Sequence, residues 1–216
     1  MKLAHLVTLS GLALTIASPA LAQQPASAPV GISLTVQGGA LVQPRTAAAF
    51  GVEFGERIHP NLVTYATLSY FEDVMSTQLT DQLAALSQTL TTKTGRAWDL
   101  HGRDRGVGFA AGAKYMVSTG TMKPYFGGGA GALAIHRQII DPRAGDVTAA
   151  TYKEFLIGDP ALTTVTRTRP LAEATVGVNL DFGRTHVDVG YRYRRAFHLS
   201  QKADFSQAVV GIGMNF

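Results

Sequence analysis

The sequence of 216 residues contains no cysteine. A disulfide-stapled scaffold, a catalytic thiol and a thiolate metal site are therefore excluded, and the fold must be held by backbone pairing and side-chain packing. Charged residues are also scarce, at 16% of the chain, whereas glycine is frequent, at 23 residues. This combination favours a sheet protein with an outer face that need not be charged.

No run of apolar residues reaches the roughly 20 that a membrane-spanning helix needs. The apolar segment 6–16 is shorter. It follows the positive charge of Lys2 and precedes Ala20-Leu21-Ala22, a small-x-small pattern of the kind that signal peptidase cleaves. The expected division of the chain is a signal peptide at 1–22, a Pro/Ala/Ser-rich periplasmic lead-in at 23–30 and a folded domain at 31–216.

Motifs of several enzyme and binding classes are missing. The sequence has no P-loop, dinucleotide-binding fingerprint, HExxH motif, EF-hand loop or Cys/His cluster, so no cofactor and no metal is predicted. The excess of basic residues is small, with 19 Lys and Arg against 15 Asp and Glu, and it includes no Lys/Arg-rich run. Nucleic acid is therefore not an expected partner.

What the mature chain does contain is apolar/polar alternation with a period of two, the pattern of a β-strand. Eight segments show it or are rich in strand-forming residues, and most extend to about ten residues, enough to cross a bilayer as a tilted strand. In 61–71 the apolar face is not clear. In six other segments the apolar faces include, in chain order, Ile32 and Leu34, Phe50 and Phe54, Phe109 and Tyr115, Val176 and Val178, Val187 and Val189, and Val210 and Ile212.

The connections between these segments alternate in length. Short links fall at 56–60, 118–123 and 183–184, long ones at 72–105 and 137–169, and intermediate ones near 43–46 and 196–203. This alternation predicts an all-β fold, an eight-stranded antiparallel transmembrane β-barrel with short periplasmic turns and longer extracellular loops. A soluble barrel would place the apolar face inward, which periodicity alone does not distinguish. Leucines at near-helical spacing in 75–90 allow a short helix, but we interpret this segment only as a cap of the long loop.

The faces opposite the apolar ones carry most of the charge within the predicted strands. The set is Glu53, Lys114, Glu173, Asp181, Asp188, Arg192 and Arg194, with His186 beside them. Because such charges are costly in a membrane unless paired or hydrated, we expect them to point into the lumen. Side chains fill a barrel this narrow. We therefore interpret the set as a structural salt-bridge plug rather than a catalytic or ion-conducting site.

The two-residue link Gly183-Arg184 sets the register of one hairpin. In that register Asp181 faces His186. Glu173 faces Arg194 in the same register. Both pairs combine opposite charges when the histidine is protonated, which supports the hairpin.

Four short stretches, in this order and spacing, resemble the small outer-membrane β-barrel domain of the opacity-protein and OmpA-transmembrane-domain type. They are Gly112-Ala113-Lys114-Tyr115, 123–131 (KPYFGGGAG), Gly190-Tyr191-Arg192-Tyr193 and 210–216 (VGIGMNF). The resemblance implies an integral protein of the cell outer membrane without catalytic residues, with a role in envelope integrity, adhesion or surface recognition. The terminal Phe216 resembles the signal that the barrel-assembly machinery recognises.

Two alternative functions stay open. The stretch 197–200 resembles the His-x-Ser element of lipid A deacylase barrels, in which a histidine (here His198) activates a serine (here Ser200) for acyl transfer. It departs from that pattern, because Gln201 replaces the expected asparagine and Asp204 is the only carboxylate nearby.

The second alternative is a small passive pore. Gly127, Gly129 and Gly131 would thin one wall, although the same glycines could instead accept large neighbours such as Tyr65. Expected partners are outer-membrane lipids and lipopolysaccharide, the barrel-assembly machinery, and an extracellular ligand that the sequence does not identify.

Overall fold

The computed structural model describes residues 31–43, 46–117, 120–148, 166–197 and 203–216. The strands are β1 (Gly31–Gln43), β2 (Ala47–His59), β3 (Leu62–Phe71), β4 (His101–Met116), β5 (Met122–Asp141), β6 (Gly145–Asp146), β7 (Thr166–Asp181), β8 (Thr185–Ala196) and β9 (Ala203–Asn215). One helix, α1 (Thr77–Thr94), lies between β3 and β4.

Eight of the strands in the described residues close into a barrel. Each pairs antiparallel with its neighbours along the chain, β9 pairs with β1, and β4 pairs with β5. The two-residue β6 pairs only with the end of β5 and lies outside the barrel. The predicted eight-stranded antiparallel barrel is therefore confirmed. We call its two rims the short-turn end, which holds the start of β1 and the end of β9, and the long-loop end, from which α1 projects.

The outer face of the barrel is apolar. Val36, Phe50, Phe126 and Ile212 expose 58 to 67% of their surface, and Val176 exposes 55%. A water-soluble barrel would bury these side chains and expose the charged ones, and the structure does the opposite. With each of the eight barrel strands paired on both sides, the barrel has no open edge, as hydrocarbon requires. This surface is matched to lipid, and the soluble-barrel alternative is wrong.

The strand ladder runs further toward the long-loop end than the sequence indicated. β4 begins at His101 and β5 continues to Asp141, with His101 opposite Ile140, so the predicted loops 72–105 and 137–169 are shorter than expected. At 16 and 20 residues these strands exceed the roughly 10 needed to span a bilayer. Their outer parts therefore stand beyond the membrane as a two-stranded extension.

The predicted register of the β7–β8 hairpin is confirmed, with Asp181 opposite His186 and Glu173 opposite Arg194. The chain reverses at Gly183, which has φ +85°, a left-handed conformation that glycine adopts without strain. The amide of Phe182 donates to the carbonyl of Thr185 and closes the turn.

The segment 75–90 does more than cover the long loop, because it forms most of the helix α1. Ser76 caps its N-terminus by accepting a hydrogen bond from the Leu79 amide, and Gly95 ends it with φ +68°. The helix packs on the extension in a cluster with its own apolar core, which we call the cap: Met75, Leu79, Leu83, Leu90, Leu100, Ile139 and Val147. The spacing of the leucines did not predict this cluster, because the residues that α1 packs against come from β5 and from later in the chain. No helix in the described ranges is long and apolar enough to cross a membrane.

Glycines on the inner face make room for buried tyrosines. A Cβ on Gly177 would lie 2.6 Å from the Tyr125 hydroxyl oxygen and 2.5 Å from the Val189 carbonyl oxygen, and one on Gly129 would lie 2.9 Å from the Tyr65 hydroxyl oxygen. These close approaches favour the interpretation that the glycines accept large neighbours.

We expect Gly177→Ala to destabilise the barrel by about 1–3 kcal/mol, because the added methyl overpacks a site closed by a buried ring and a cross-strand carbonyl. Unfolding in urea from lipid vesicles, followed by circular dichroism, measures the loss. Gly38→Ala is the matched control, because its Cβ would meet nothing within 4 Å. Equal stability of the two variants would contradict the packing argument.

Candidate functional site

The lumen contains a buried ion-pair network near the short-turn end. Lys114 Nζ and Arg192 Nη2 each lie 2.5 Å from a different carboxylate oxygen of Glu53. Gln37 donates a further hydrogen bond, 3.3 Å long, to Glu53. Lys114 Nζ also lies 5.1 and 4.7 Å from the ring centroids of two aromatic residues, Tyr65 and Tyr125. Because Glu53 accepts from three donors on three strands, it ties β1, β4 and β8 to β2.

A second ion pair follows toward the long-loop end. Arg194 Nε lies 2.5 Å from one carboxylate oxygen of Glu173, and the Tyr65 hydroxyl donates a 2.9 Å hydrogen bond to the other. Arg194 also donates to Gln207, at 2.7 Å, and its guanidinium carbon lies 5.1 Å from the Phe71 ring centroid. The cross-strand pair expected from the hairpin register is thus an actual ion pair.

The other expected pair does not form between side chains. His186 is buried and its Nε2 lies 2.8 Å from Thr35 Oγ1. Asp181 instead accepts from Lys123. Lys123 lies on β5 near the rim, where Asp181 is only half-buried. The carboxylate of Asp181 therefore pairs with Lys123 and does not need a protonated His186. Asp181 and His186 are thus cross-strand partners, as predicted, but among the described residues their side chains bond to Lys123 and Thr35 rather than to each other.

Asp188 completes the buried charges by accepting a 2.8 Å hydrogen bond from the Tyr125 hydroxyl. We call the following set the charged layer: Glu53, Glu173, Asp188, Lys114, Arg192 and Arg194, all of them buried. Three carboxylates and three cations balance each other within it. Tyr65 and Tyr125 were not predicted as members, because the sequence did not show which face of their strands points inward.

An apolar layer lies between the charged layer and the long-loop end. It contains Leu41, Phe71, Leu133, Leu171 and Phe205, together with smaller neighbours. The Phe71 and Phe205 rings meet edge to face with centroids 5.2 Å apart, a favourable aromatic geometry. This layer was not predicted from the sequence, because the inner face of the barrel was expected to be polar throughout.

On the short-turn side the charged layer borders a cavity of about 200 Å³. Glu53, Lys114, Asp188, His186 and Asn179 are among its lining residues. The Nδ1 atom of His186 is buried there and has no hydrogen-bond partner among the described residues. Val63 and Met116 also line this cavity, and the charged layer and the apolar layer lie between it and the long-loop end.

Two further predictions concern the segment between β8 and β9 and the terminal residue Phe216. His198 and Ser200 of the lipid A deacylase alternative lie outside the described residues. Phe216 is 71% exposed and its amide donates to the carbonyl of Ile32, which closes the end of β9 onto β1. Its role in assembly stays a prediction.

We expect Glu53→Gln to destabilise the folded barrel by about 3–5 kcal/mol, because it leaves Lys114 and Arg192 buried without their shared carboxylate. Urea unfolding in vesicles measures this. Glu72→Gln is the control, since Glu72 pairs with Arg103 at a half-exposed site, where such a pair contributes about 0–1 kcal/mol. A loss for Glu53→Gln no larger than for the control would refute the network's role in stability.

Asp141 fixes the cap outside the membrane-spanning part. Its carboxylate accepts from the backbone amides of Arg143, Ala144 and Asp99 at 2.8 to 3.2 Å. Burial tends to raise the pKa of Asp141, but these hydrogen bonds outweigh it and hold the pKa below the ordinary value of 3.8. A lowered pKa means that this contribution to stability is complete above pH 3.8 and is lost as the pH falls through the lowered pKa.

The single tryptophan, Trp98, reports on the cap, since its Nε1 donates to Thr94. We expect its emission to shift to the red in acid below pH 3.8, and Asp141→Ala to show the same shift already at pH 7. Asp81→Ala, an exposed acid on α1, should leave the emission unchanged. An unshifted Asp141→Ala spectrum at pH 7 would show that Asp141 does not hold the cap.

No protein-family model and no curated protein matches the chain. Solved structures similar to it include the N-terminal β-barrel domain of OprF from Pseudomonas aeruginosa, at 13% identity and a TM-score of 0.49 over 86% of this chain and 97% of that one. Ail of Yersinia pestis is similar at 9% identity and a TM-score of 0.45, over 87% of this chain and 96% of that one. The outer membrane enzyme PagL is similar at 12% identity and a TM-score of 0.41, over 84% of this chain and 98% of that one. These similarities concern the fold alone, and the strand pairing of the chain itself establishes that fold, a closed antiparallel barrel of eight strands with a lipid-matched outer face.

Proposed function

We propose that the chain is an integral outer-membrane protein with a sealed barrel that serves a structural or surface-interaction role, presenting the cap and the loops of the long-loop end outside the cell. The observation that carries this proposal is the filled lumen. The charged layer and the apolar layer follow one another along the barrel axis, and their members are buried.

The orientation follows from where the ends of the chain lie. Ser33 and Asn215 are cross-strand partners, so the first and last strands enter and leave at the short-turn end. Short turns face the periplasm and longer loops face outward in bacterial outer-membrane barrels. Cleavage after 1–22 would leave 23–30 as the periplasmic lead-in, and Phe216 would be available there to the assembly machinery.

A non-enzymatic role is supported by how the buried charges are used. Glu53 and Glu173 each accept from a guanidinium and at least one further donor. Groups held in this way are positioned to stabilise the barrel rather than to bind a substrate. The exposed partners of the protein are then lipids and lipopolysaccharide around the barrel, and ligands at the long-loop end.

Planar-bilayer recording tests the sealed lumen. We expect the refolded protein to show no large, stable single-channel conductance. Arg194→Ala should introduce a leak, because it removes the side chain that joins the charged layer to Phe71. Arg195→Ala is the matched control. Arg195 is the next residue, but it pairs with Asp204 on the outer face, where both side chains are about 40% exposed.

A boiling-sensitive shift in gel migration would establish that each variant is folded before recording. Stable channels in the wild-type protein would overturn the sealed barrel. Recovery of the protein as a soluble periplasmic product, without such a shift, would overturn the membrane assignment itself.

A further inference from the structure

A cluster of arginines lines the lumen at the long-loop end, beyond the apolar layer. Arg137 lies on β5, and Arg167 and Arg169 lie on the facing stretch of β7, where Arg169 is the cross-strand partner of Leu133. Asp104 on β4 is the carboxylate that attracts Arg169. These residues belong neither to the charged layer nor to the cap.

Asp104 is already occupied by another cation. Arg137 binds it through two parallel hydrogen bonds, Nε to Oδ1 at 2.8 Å and Nη2 to Oδ2 at 2.6 Å. Both residues are buried, at 5 and 3% exposure. Both carboxylate oxygens of Asp104 thus accept from the one guanidinium of Arg137.

Among the described residues, Arg169 is a buried cation to which no carboxylate is bonded. It is 4% exposed, its Nε has no hydrogen-bond partner, and it forms no ion pair within the described part of the chain. Arg167 and Arg137 both repel it. Burying an unpaired charge is costly, and neighbouring charges of the same sign add to that cost.

A bound oxyanion would remove this cost. The guanidinium is a rigid fork of donors that matches tetrahedral phosphate and sulfate groups, and the nearby positive charges of Arg137 and Arg167 favour a multiply charged group over chloride. We propose that Arg169, supported by Arg167 and the Asp104–Arg137 pair, forms an oxyanion site at the long-loop end of the lumen that takes a phosphate or sulfate group. The site itself does not depend on the proposed function, which only places this end outside the cell.

Thermal unfolding of the full-length barrel in zwitterionic micelles tests the site. Sodium sulfate and sodium phosphate are compared with sodium chloride at equal ionic strength. We expect the unfolding midpoint of the wild type to rise saturably with either oxyanion. Arg169→Met should lose the saturable part and keep only the small, linear rise that such salts give to any protein. Arg195→Met, which changes an exposed arginine on the outer face, should respond like the wild type.

Stability in chloride alone separates a ligand site from a structural role. Without its ligand, the wild type carries an uncompensated charge, so Arg169→Met should be at least as stable as the wild type. A marked loss of stability, or failure of Arg169→Met to fold, would show that Arg169 has a structural partner and would overturn the proposal. Arg169→Lys keeps the charge but not the fork, and should bind the oxyanions several-fold more weakly.

The source of the anion is distinguished by a second pair of ligands. A sulfated disaccharide that raises the midpoint when its unsulfated parent does not assigns the site to saccharide-borne groups. A response to inorganic ions alone assigns it to free anions. Equal, unsaturated responses of the wild type and Arg169→Met to every ligand would exclude the site, while leaving the sealed barrel and its conductance test unaffected.

Discussion

The ion pairs of Glu53 with Lys114 and Arg192 join residues that are 61 and 139 positions apart in the sequence. They form in a space where a lone carboxylate or a lone cation would be strongly unfavourable, because neither bulk water nor lipid headgroups solvate it. Each of the strands β2, β4 and β8 therefore requires the other two in the correct register. A one-residue slip of any strand would carry its charge into the hydrocarbon and its apolar side chains into the lumen. The inner charges and the outer apolar surface are thus one constraint, which is satisfied only by the closed barrel.

Two different kinds of side chain fill the lumen under this constraint. Near the short-turn end, paired charges and tyrosine hydroxyls occupy the space, and their directional hydrogen bonds discriminate between registers. Toward the long-loop end, Phe71, Leu133 and Phe205 occupy it by packing alone. Arg194 joins the two, since it binds Glu173 on one side and lies against the Phe71 ring on the other. Glycines such as Gly177 leave the room that Tyr125 needs, so the small and large residues of the inner face are complementary rather than independent.

Period-two alternation was sufficient to predict the strands and, in most of them, the side of the sheet that each residue faces, although the apolar face of 61–71 was not clear. The tight turn at Gly183 was sufficient for the register of one hairpin, and with it the Glu173–Arg194 pair. Pairings between strands distant in sequence could not be predicted in this way, because no turn fixes their register. Lys123 was thus not foreseen as the partner of Asp181. Phe71 and Phe205 were missed for a different reason. Alternation specifies a face, but an inward residue is polar only where its neighbours across the lumen are polar too.

The cap follows a different physical rule from the barrel beneath it. Beyond the membrane, β4 and β5 continue as a pair whose faces meet water, so apolar residues such as Ile139 need a cover that lipid no longer provides. α1 supplies that cover with Leu79 and Leu83, which are almost fully buried although they belong to a connection between strands. The carboxylate of Asp141 then joins the end of β5 to the chain that follows α1. Because these contacts lie outside the barrel, the cap can loosen without opening the charged layer. The long-loop end therefore combines a base that packs inside the barrel with an outer part that has an apolar core of its own.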